Sequence, residues 1–243
     1  MDYSIQSGVH PQPADRVLVI MAKAPRQGAV KTRLASSLPV QAVTALYRCL
    51  LDDTLHLAQS LNGVDVAIMC PVSDVDELTR LVGNRARVVA QKGEGLAAGL
   101  TSVFAHFTGA LPRRTIAFNS DSPHLSPSVL ENAFETLATK DLVVGPTQDG
   151  GYYFVGAKAS HPTLFARDGM GTSSALEALL SHAQTLALSV GFAEHFYDID
   201  VADDLTRLAT ELRIAPTRAP RTAQWLREWE LVTARQRKAA GGL

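Results

Sequence analysis

The sequence predicts one three-layer α/β/α domain, with a mostly parallel central sheet, helices on both faces and one antiparallel insertion. Short apolar runs alternate along the chain with longer stretches of helical periodicity, a pattern typical of parallel strands joined by crossover helices. Two apolar runs, residues 142–145 and 152–155, are separated only by a turn-forming segment. That segment is too short for a crossover helix, so the two runs are predicted to pair in antiparallel fashion.

Strands are predicted where apolar residues run together between turn residues. The first, residues 17–21, opens into a basic loop, and the fourth, residues 115–118, stops at a polar cluster that contains Pro123. The predicted strands are residues 17–21, 64–69, 87–90, 115–118, 142–145, 152–155 and 185–190.

Helices are predicted where apolar residues recur at helical spacing. In the longest, residues 39–61, Val43, Leu46 and Leu50 share one face. Pro39 suits the first turn of that helix, because its fixed φ is already helical. The other predicted helices are residues 75–81, a helix entered through the Gly-rich segment 91–100, and residues 127–137, 173–181 and 202–211.

Composition excludes several classes of protein. At 243 residues, with 46% hydrophobic residues, 19% charged residues and a net charge of −1, the chain is typical of a globular domain with a substantial core. The near-neutral charge argues against nucleic-acid binding. Two cysteines provide neither a disulfide framework nor a zinc motif.

The two ends of the chain are predicted to be accessory to this domain. Residues 1–15 are polar and lack the apolar core of a signal peptide, and no apolar stretch approaches the about 18 residues that span a membrane. We therefore expect a cytoplasmic protein with a flexible leader at 1–15 and one folded domain at 16–213. Residues 214–243 are expected to form a helical tail packed on the same domain.

The first candidate site follows the fourth predicted strand. There the chain reads Asn119, Ser120, Asp121, Ser122 and Pro123. In open α/β sheets, ligands bind outside the carboxyl ends of the strands. A carboxylate in that position suits Mg²⁺ or Mn²⁺, but an Asp before Ser-Pro can equally cap a turn.

The second candidate site is the loop at residues 23–34, directly after the first strand. Its four cations, Lys23, Arg26, Lys31 and Arg33, could neutralise phosphates. The loop matches neither the Walker nor the Rossmann pattern. A solvated basic loop is the alternative.

The third and fourth candidate sites are acidic. Asp149 precedes a Gly-Gly pair and two tyrosines, where it could act as a base or bind sugar hydroxyls, or could simply form a hairpin turn. Asp198 and Asp200 would point to one side of an extended segment and could complete an oxygen-rich metal site with Asp121. Asp203 and Asp204 are explained by the first turn of a helix, where negative charge is favourable.

Together, four motifs resemble one family. The motifs K-A-P-x-x-G-x-x-K-T-R-L, S-D-S-P, G-P-x-x-D-G-G-Y-Y and D-I-D-x-x-D-D-L occur in this order between about residues 17 and 212. They are similar to those of the DUF2064 family, also called the radical-SAM/selenodomain-associated transferase 1 family. The resemblance implies a GT-A-like fold of the nucleotide-diphospho-sugar transferase superfamily, and the family is commonly labelled a glycosyltransferase.

The resemblance also implies roles for individual residues. Asp121 would hold the position of the superfamily's metal-binding carboxylate, and Asp198 with Asp200 would form the second carboxylate site. The predicted sets are Asp121, Asp149 and Lys31 for catalysis; Lys23, Lys31, Arg33 and Ser120 for the nucleotide; Asp149, Gly150, Gly151 and Tyr152 for the substrate; and Asp121, Asp198 and Asp200 for Mg²⁺ or Mn²⁺.

Two transfer reactions fit these residues. The K-T-R-L run favours nucleotidyl transfer, because a similar run occurs in phospholactate guanylyltransferase-like relatives and would stabilise phosphate charge. An acceptor phosphate needs cations of its own, however, and residues 93–157 offer only Arg113, Arg114 and Lys140, all outside the motifs. The sequence therefore favours glycosyl transfer from a nucleotide-sugar to a small-molecule acceptor. A nucleotide-binding regulatory domain without turnover is the hypothesis from another class.

Overall fold

A single seven-stranded sheet organises the part of the chain that the computed structural model describes, residues 14–109, 113–165 and 173–240. Its strands are β1 (Arg16–Met21), β2 (Val64–Cys70), β3 (Arg87–Ala90), β4 (Arg114–Asn119), β5 (Leu142–Pro146), β6 (Tyr152–Ala157) and β7 (Val190–Phe192). Their order across the sheet is β3-β2-β1-β4-β6-β5-β7.

Strand directions confirm the predicted mixed sheet. β1 runs parallel to β2 on one side and to β4 on the other, with Val19 opposite both Ala67 and Ala117. β6 is the inserted strand, antiparallel to both β4 and β5, and β7 returns parallel to β5. The carboxyl ends of β1 and β4 therefore lie side by side.

Helices cover both faces of the sheet. They are α1 (Val40–Gln59), α2 (Val75–Val82), α3 (Gly95–Phe107), α4 (Pro127–Thr139), α5 (Ala175–Thr185), α6 (Ala202–Ile214) and α7 (Pro220–Ala240). Because side chains alternate along a strand, Leu18 and Ile20 of β1 pack into the core under α1 and α4, whereas Val17 and Val19 pack into the core under α3 and α5. The three-layer prediction is confirmed.

The strand predicted at residues 185–190 is wrong over most of its length. α5 continues through Thr185, and Ala187 then adopts a left-handed φ of 53° in the turn that follows. Pairing with β5 begins only at Val190, which lies opposite Leu142. The apolar run there belongs to a helix end and a turn, which periodicity alone does not distinguish from a short strand.

The end of the chain packs on α1 through a third apolar cluster. Ala219, Ala223 and Leu226 lie against Leu46 and Leu50. The predicted leader falls almost entirely outside the described residues, and the predicted domain boundaries stay predictions. Within the described ranges, no helix combines the length and the apolar character needed to cross a bilayer.

Candidate active site

A cavity of about 820 Å³ opens at the carboxyl ends of β1 and β4. The chain leaves β1 toward β2 on one side of the sheet and later returns to β4 on the other, so a crevice forms between the two strand ends. The charged residues that line the cavity are Arg33, Asp121, Asp149, Asp198, Asp200, Asp204 and Arg207. All four motifs thus meet in one space.

Lys31 joins two of the motifs through ion pairs. Its Nζ lies 2.8 Å from Oδ2 of Asp121 and 3.6 Å from Oδ1 of Asp200, and only 5% of its side chain is exposed. Burial acts to lower the pKa of Lys31, but the charges of Asp121, Asp200 and Asp198 outweigh burial and raise it. The ammonium group is therefore charged and sits among the predicted metal ligands.

Arg33 pairs with the outer carboxylate. Its Nη1 donates a hydrogen bond to Oδ2 of Asp200, while 70% of its side chain is exposed at the rim of the cavity. Burial acts to raise the pKa of Asp200, but the hydrogen bond from Arg33 and the charges of Lys31 and Arg33 lower it overall. Asp200 is thus held as a carboxylate between two cations.

Asp198 is the carboxyl group that is least well neutralised. Burial raises its pKa to about 6, Lys31 partly offsets this, and the charges of Asp121 and Asp200 add to the rise. Relief of this repulsion is what an added cation would supply.

The donor chemistry fits a hard divalent cation. Asp121, Asp198 and Asp200 provide carboxylate oxygens, the ligands that Mg²⁺ and Mn²⁺ prefer. In the described part of the chain, however, no group of three or more His, Cys, Asp or Glu side chains is already arranged to hold a metal ion. Lys31 lies between Asp121 and Asp200 instead.

Ser120 and Lys23 lie behind the cavity rather than on its wall. The Tyr47 hydroxyl accepts the backbone N–H of Lys23 at 3.1 Å and lies 3.2 Å from the Ser120 Oγ. Ser120 in turn donates to Oδ1 of Asp121 at 3.3 Å. Ser120 is buried and orients Asp121, whereas the Lys23 side chain is exposed and is not among the cavity-lining groups.

Asp74 anchors the start of the basic loop and was not found from the sequence. Its buried carboxylate accepts the backbone N–H of Ala24 at 2.8 Å and a hydrogen bond from Nη1 of Arg26 at 2.7 Å. Arg26 also donates to Glu77 at 2.8 Å, so its charge is neutralised by carboxylates of the protein itself. Asp74 lies in no motif, and only the fold brings it to the loop.

Asp149 closes its own turn and also lines the cavity. Its Oδ1 accepts the Thr147 hydroxyl at 2.5 Å and the Gly151 N–H at 3.2 Å. Gly150 has a φ of +87°, and a Cβ there would lie 1.9 Å from the Ser173 carbonyl oxygen. Gly150 is therefore required by the turn itself. Gly151 and Tyr152 line the cavity beside Asp149.

Arg207 on α6 is a further cavity residue that the sequence did not indicate. Its guanidinium lies 3.7 Å from the centroid of the Tyr197 ring, and its Nε donates to Oε1 of Glu211 at 3.1 Å. Arg207 lines the cavity and Glu211 does not, so the guanidinium is the member of this ion pair that faces the cavity. Its position one turn after the D-D-L motif is the only sequence signal for it.

The chain matches a known family over nearly half its length. The model of DUF2064, described as an uncharacterized protein conserved in bacteria, matches residues 54–172. The resemblance drawn from the motifs is thereby confirmed over that segment. None of the curated proteins matches the sequence.

Solved structures share the fold. A candidate nucleotide-diphospho-sugar transferase from Desulfovibrio desulfuricans G20 is 24% identical with a TM-score of 0.81, covering 91% of this chain and 98% of that chain. CMP:2-keto-3-deoxy-manno-octonic acid synthetase complexed with CTP is 10% identical with a TM-score of 0.55, covering 82% and 99%. A nucleotidyl transferase from Methanothermobacter is 17% identical with a TM-score of 0.54, covering 82% and 99%. The predicted GT-A-like fold class is confirmed.

Proposed function

We propose that this chain, which matches the DUF2064 family over residues 54–172, is a metal-dependent transferase that uses a nucleotide-activated sugar. One observation carries the proposal: Asp121, Asp198 and Asp200 converge with Lys31 and Arg33 at the edge of one large cavity. Carboxylates for a divalent cation and cations for phosphates are the two requirements of chemistry on a nucleoside diphosphate.

The basic loop would hold the phosphates. Arg33 is exposed at the cavity rim and has donors beyond those it uses on Asp200. Lys31 lies deeper and could turn from its carboxylates toward a phosphate. A bound Mg²⁺ or Mn²⁺ would neutralise charge on the departing nucleoside diphosphate.

The part of the cavity that is lined by Asp149 and Tyr152 would receive the sugar and its acceptor. Tyr152 is half-buried and lines the cavity beside Asp149, where its ring would give a sugar an apolar surface to stack on, whereas Tyr153 and Phe154 are each 1% exposed and belong to the core. Oδ1 of Asp149 is used within the turn, so its role on a substrate would fall to the second oxygen. That oxygen could accept a hydroxyl proton and orient the acceptor for attack.

Nucleotidyl transfer is the second candidate, and Arg207 is the observation that favours it. The sequence argument against this reaction was the lack of a cation for an acceptor phosphate. Arg207 on α6 is a cation that lines the cavity and is not among the residues of the basic loop. This cation supports nucleotidyl transfer as the second candidate.

Product analysis separates these reactions. The protein would be incubated with Mg²⁺ or Mn²⁺ and either UDP-, GDP- and dTDP-sugars or each NTP with sugar phosphates. Metal-dependent release of a nucleoside diphosphate supports glycosyl transfer, and release of pyrophosphate that requires a sugar phosphate supports nucleotidyl transfer instead. Binding without turnover under all conditions would contradict both reactions and support a regulatory domain.

A further inference from the structure

We propose that Lys31 is an internal counter-ion that competes with the divalent cation, so that the protein binds metal tightly only when nucleotide phosphates draw Lys31 away. This inference rests on the proposed function and concerns the order and coupling of binding at the same site. It predicts that metal alone binds weakly to the free protein, although three carboxylates are present.

The contacts of Lys31 carry the argument. Its ammonium lies 2.8 Å from one oxygen of Asp121 and 3.6 Å from one oxygen of Asp200. A divalent cation bound by both carboxylates would approach these oxygens to about 2.1 Å and would lie close to the ammonium. Like charges at that separation repel strongly, because only 5% of the Lys31 side chain is exposed to screening by solvent. The two cations therefore exclude each other.

The charge balance agrees with this exclusion. Within the cluster formed by Asp121, Asp198, Asp200, Lys31 and Arg33, the three carboxylates exceed the two cations by one negative charge. A divalent cation added without phosphates would reverse that charge while Lys31 remained. Phosphates supply the negative charge that lets both cations stay, with Lys31 on the phosphates and the metal on the carboxylates.

The loop gives Lys31 a way to move. Lys31 has a left-handed φ of 48°, a conformation that residues other than glycine adopt only when their contacts enforce it. Residues 26–29 of the loop are exposed, and Gly28 has a φ of 73°. The start of the loop is fixed, because Asp74 holds Ala24 and Arg26. Movement would be confined to the short segment that ends at Lys31.

The decisive measurement is the affinity for Mn²⁺ alone, followed by electron paramagnetic resonance. The wild-type protein should bind Mn²⁺ weakly, and Lys31→Met should bind it at least tenfold more tightly, because the competing charge is gone. Lys140→Met removes an equal charge from an exposed position outside the cavity and should match the wild type. Adding Asp121→Asn to Lys31→Met should abolish the gain. An Mn²⁺ affinity in Lys31→Met equal to that of the wild type, or weaker, overturns the proposal.

One further variant and one refolding experiment keep the test decisive. Lys31→Arg retains the counter-ion and should bind Mn²⁺ as weakly as the wild type; tight binding would contradict the proposal. If Lys31→Met is unfolded in metal-free buffer, Mn²⁺ should refold it, because the metal replaces the missing charge among the carboxylates. Failure to refold with Mn²⁺ overturns the idea.

Coupling with the nucleotide separates this inference from the proposed function. UDP and GDP should each be tested, and the one that binds should raise the Mn²⁺ affinity of the wild type at least tenfold but that of Lys31→Met less than twofold. If wild type binds nucleotide and metal with no such difference between the two proteins, only the counter-ion role fails. If neither protein binds any nucleotide, the proposed function fails as well.

Discussion

Two acidic regions of the molecule, one buried and one half-buried at the cavity, are neutralised in different ways. Asp53 on α1 is 1% exposed and accepts the backbone N–H groups of Arg221 at 3.0 Å and Thr222 at 2.7 Å, in the first turn of α7. Asp121 and Asp200 at the cavity instead share the side chain of Lys31.

The difference lies in whether the partner can leave. Backbone donors in a helix are fixed by the helix, so Asp53 serves to cap α7 and to hold it against α1. The Lys31 ammonium stands on a flexible stem in a loop and can exchange partners. Burial of a carboxylate therefore does not by itself identify a functional site. A neutralising side chain that can exchange partners, such as Lys31, is the better indicator.

The largest expected effect comes from removing the carboxylate at the end of β4. Asp121→Asn keeps the size of the side chain, and Lys31 retains Asp200 as a partner, so the protein should fold. The rate of metal-dependent transfer should fall about a thousandfold, which corresponds to about 4 kcal/mol of activation free energy. The reason is that the metal ion that neutralises the phosphates loses a central carboxylate ligand. The measurement is turnover and nucleotide affinity at several Mn²⁺ concentrations.

The control for that variant is Asp76→Asn, which changes an exposed carboxylate in the first turn of α2. It should leave nucleotide affinity unchanged. Metal-dependent binding in Asp121→Asn equal to that of the wild type would show that Asp121 is a turn residue, the alternative that the sequence left open.

Removal of Asp53, whose partners are fixed, should instead lower stability and leave turnover unchanged. Asp53→Ala leaves two backbone donors of α7 unsatisfied, one of them on fully buried Thr222, and should lower the free energy of unfolding by about 3 kcal/mol. Turnover per folded molecule should not change. Urea denaturation and active-site titration measure the two quantities separately.

The neighbouring residue gives a matched comparison. Asp52 makes partly exposed ion pairs with Arg85 and Arg221, so Asp52→Ala should cost less than about 1 kcal/mol. Equal losses for Asp52→Ala and Asp53→Ala would mean that the cap on α7 does not stabilise the protein.

His124 sharpens the comparison, because it is a buried ionisable group without a neutralising partner. It is fully buried against the rings of Phe196 and Tyr197, and neither ring nitrogen has a hydrogen-bond partner among the described residues. Burial lowers its pKa from the ordinary 6.5 to about 3, and the charges of Arg207 and Arg218 add to this. The folded protein therefore excludes a proton that the unfolded chain binds.

The sign of the pH dependence follows. The contribution of neutral, buried His124 to the free energy of unfolding is complete above pH 6.5 and is lost as the pH falls from there toward 3. Between pH 7 and pH 5 the loss should be about 2 kcal/mol, measured by urea denaturation at each pH. His124→Phe keeps an aromatic ring there and should remove this part of the acid sensitivity; an unchanged pH profile would contradict it.

Local sequence patterns predicted most of the fold. Strand and helix positions depend on apolar periodicity within a few residues, and the mixed sheet followed from the short spacing between β5 and β6. The strand predicted at residues 185–190 was wrong because a helix end and a turn carry the same apolar run. The motifs also indicated which residues to consider at the site, since the first three lie directly after a predicted strand.

The partners of those residues could not be predicted. Asp121 meets Lys31, Asp74 meets Ala24, and Asp53 meets Thr222 only because the sheet and helices bring distant segments together. The spacing of residues along the sequence does not indicate such contacts. The distinction between an exchangeable and a fixed counter-ion therefore emerges only in three dimensions.

The smallest expected effect concerns Arg207, the cation on α6 that lines the cavity. If Arg207 binds an anionic acceptor, Arg207→Gln should weaken binding of glucose 1-phosphate about tenfold, or about 1.4 kcal/mol, while nucleotide affinity changes less than twofold. Arg213→Gln, on the outer end of α6 and paired with Glu230, is the matched control and should change neither. Isothermal titration of the three proteins measures both affinities. Equal losses for nucleotide and sugar phosphate would place Arg207 at the nucleotide instead, and would return the balance between the two reactions to glycosyl transfer.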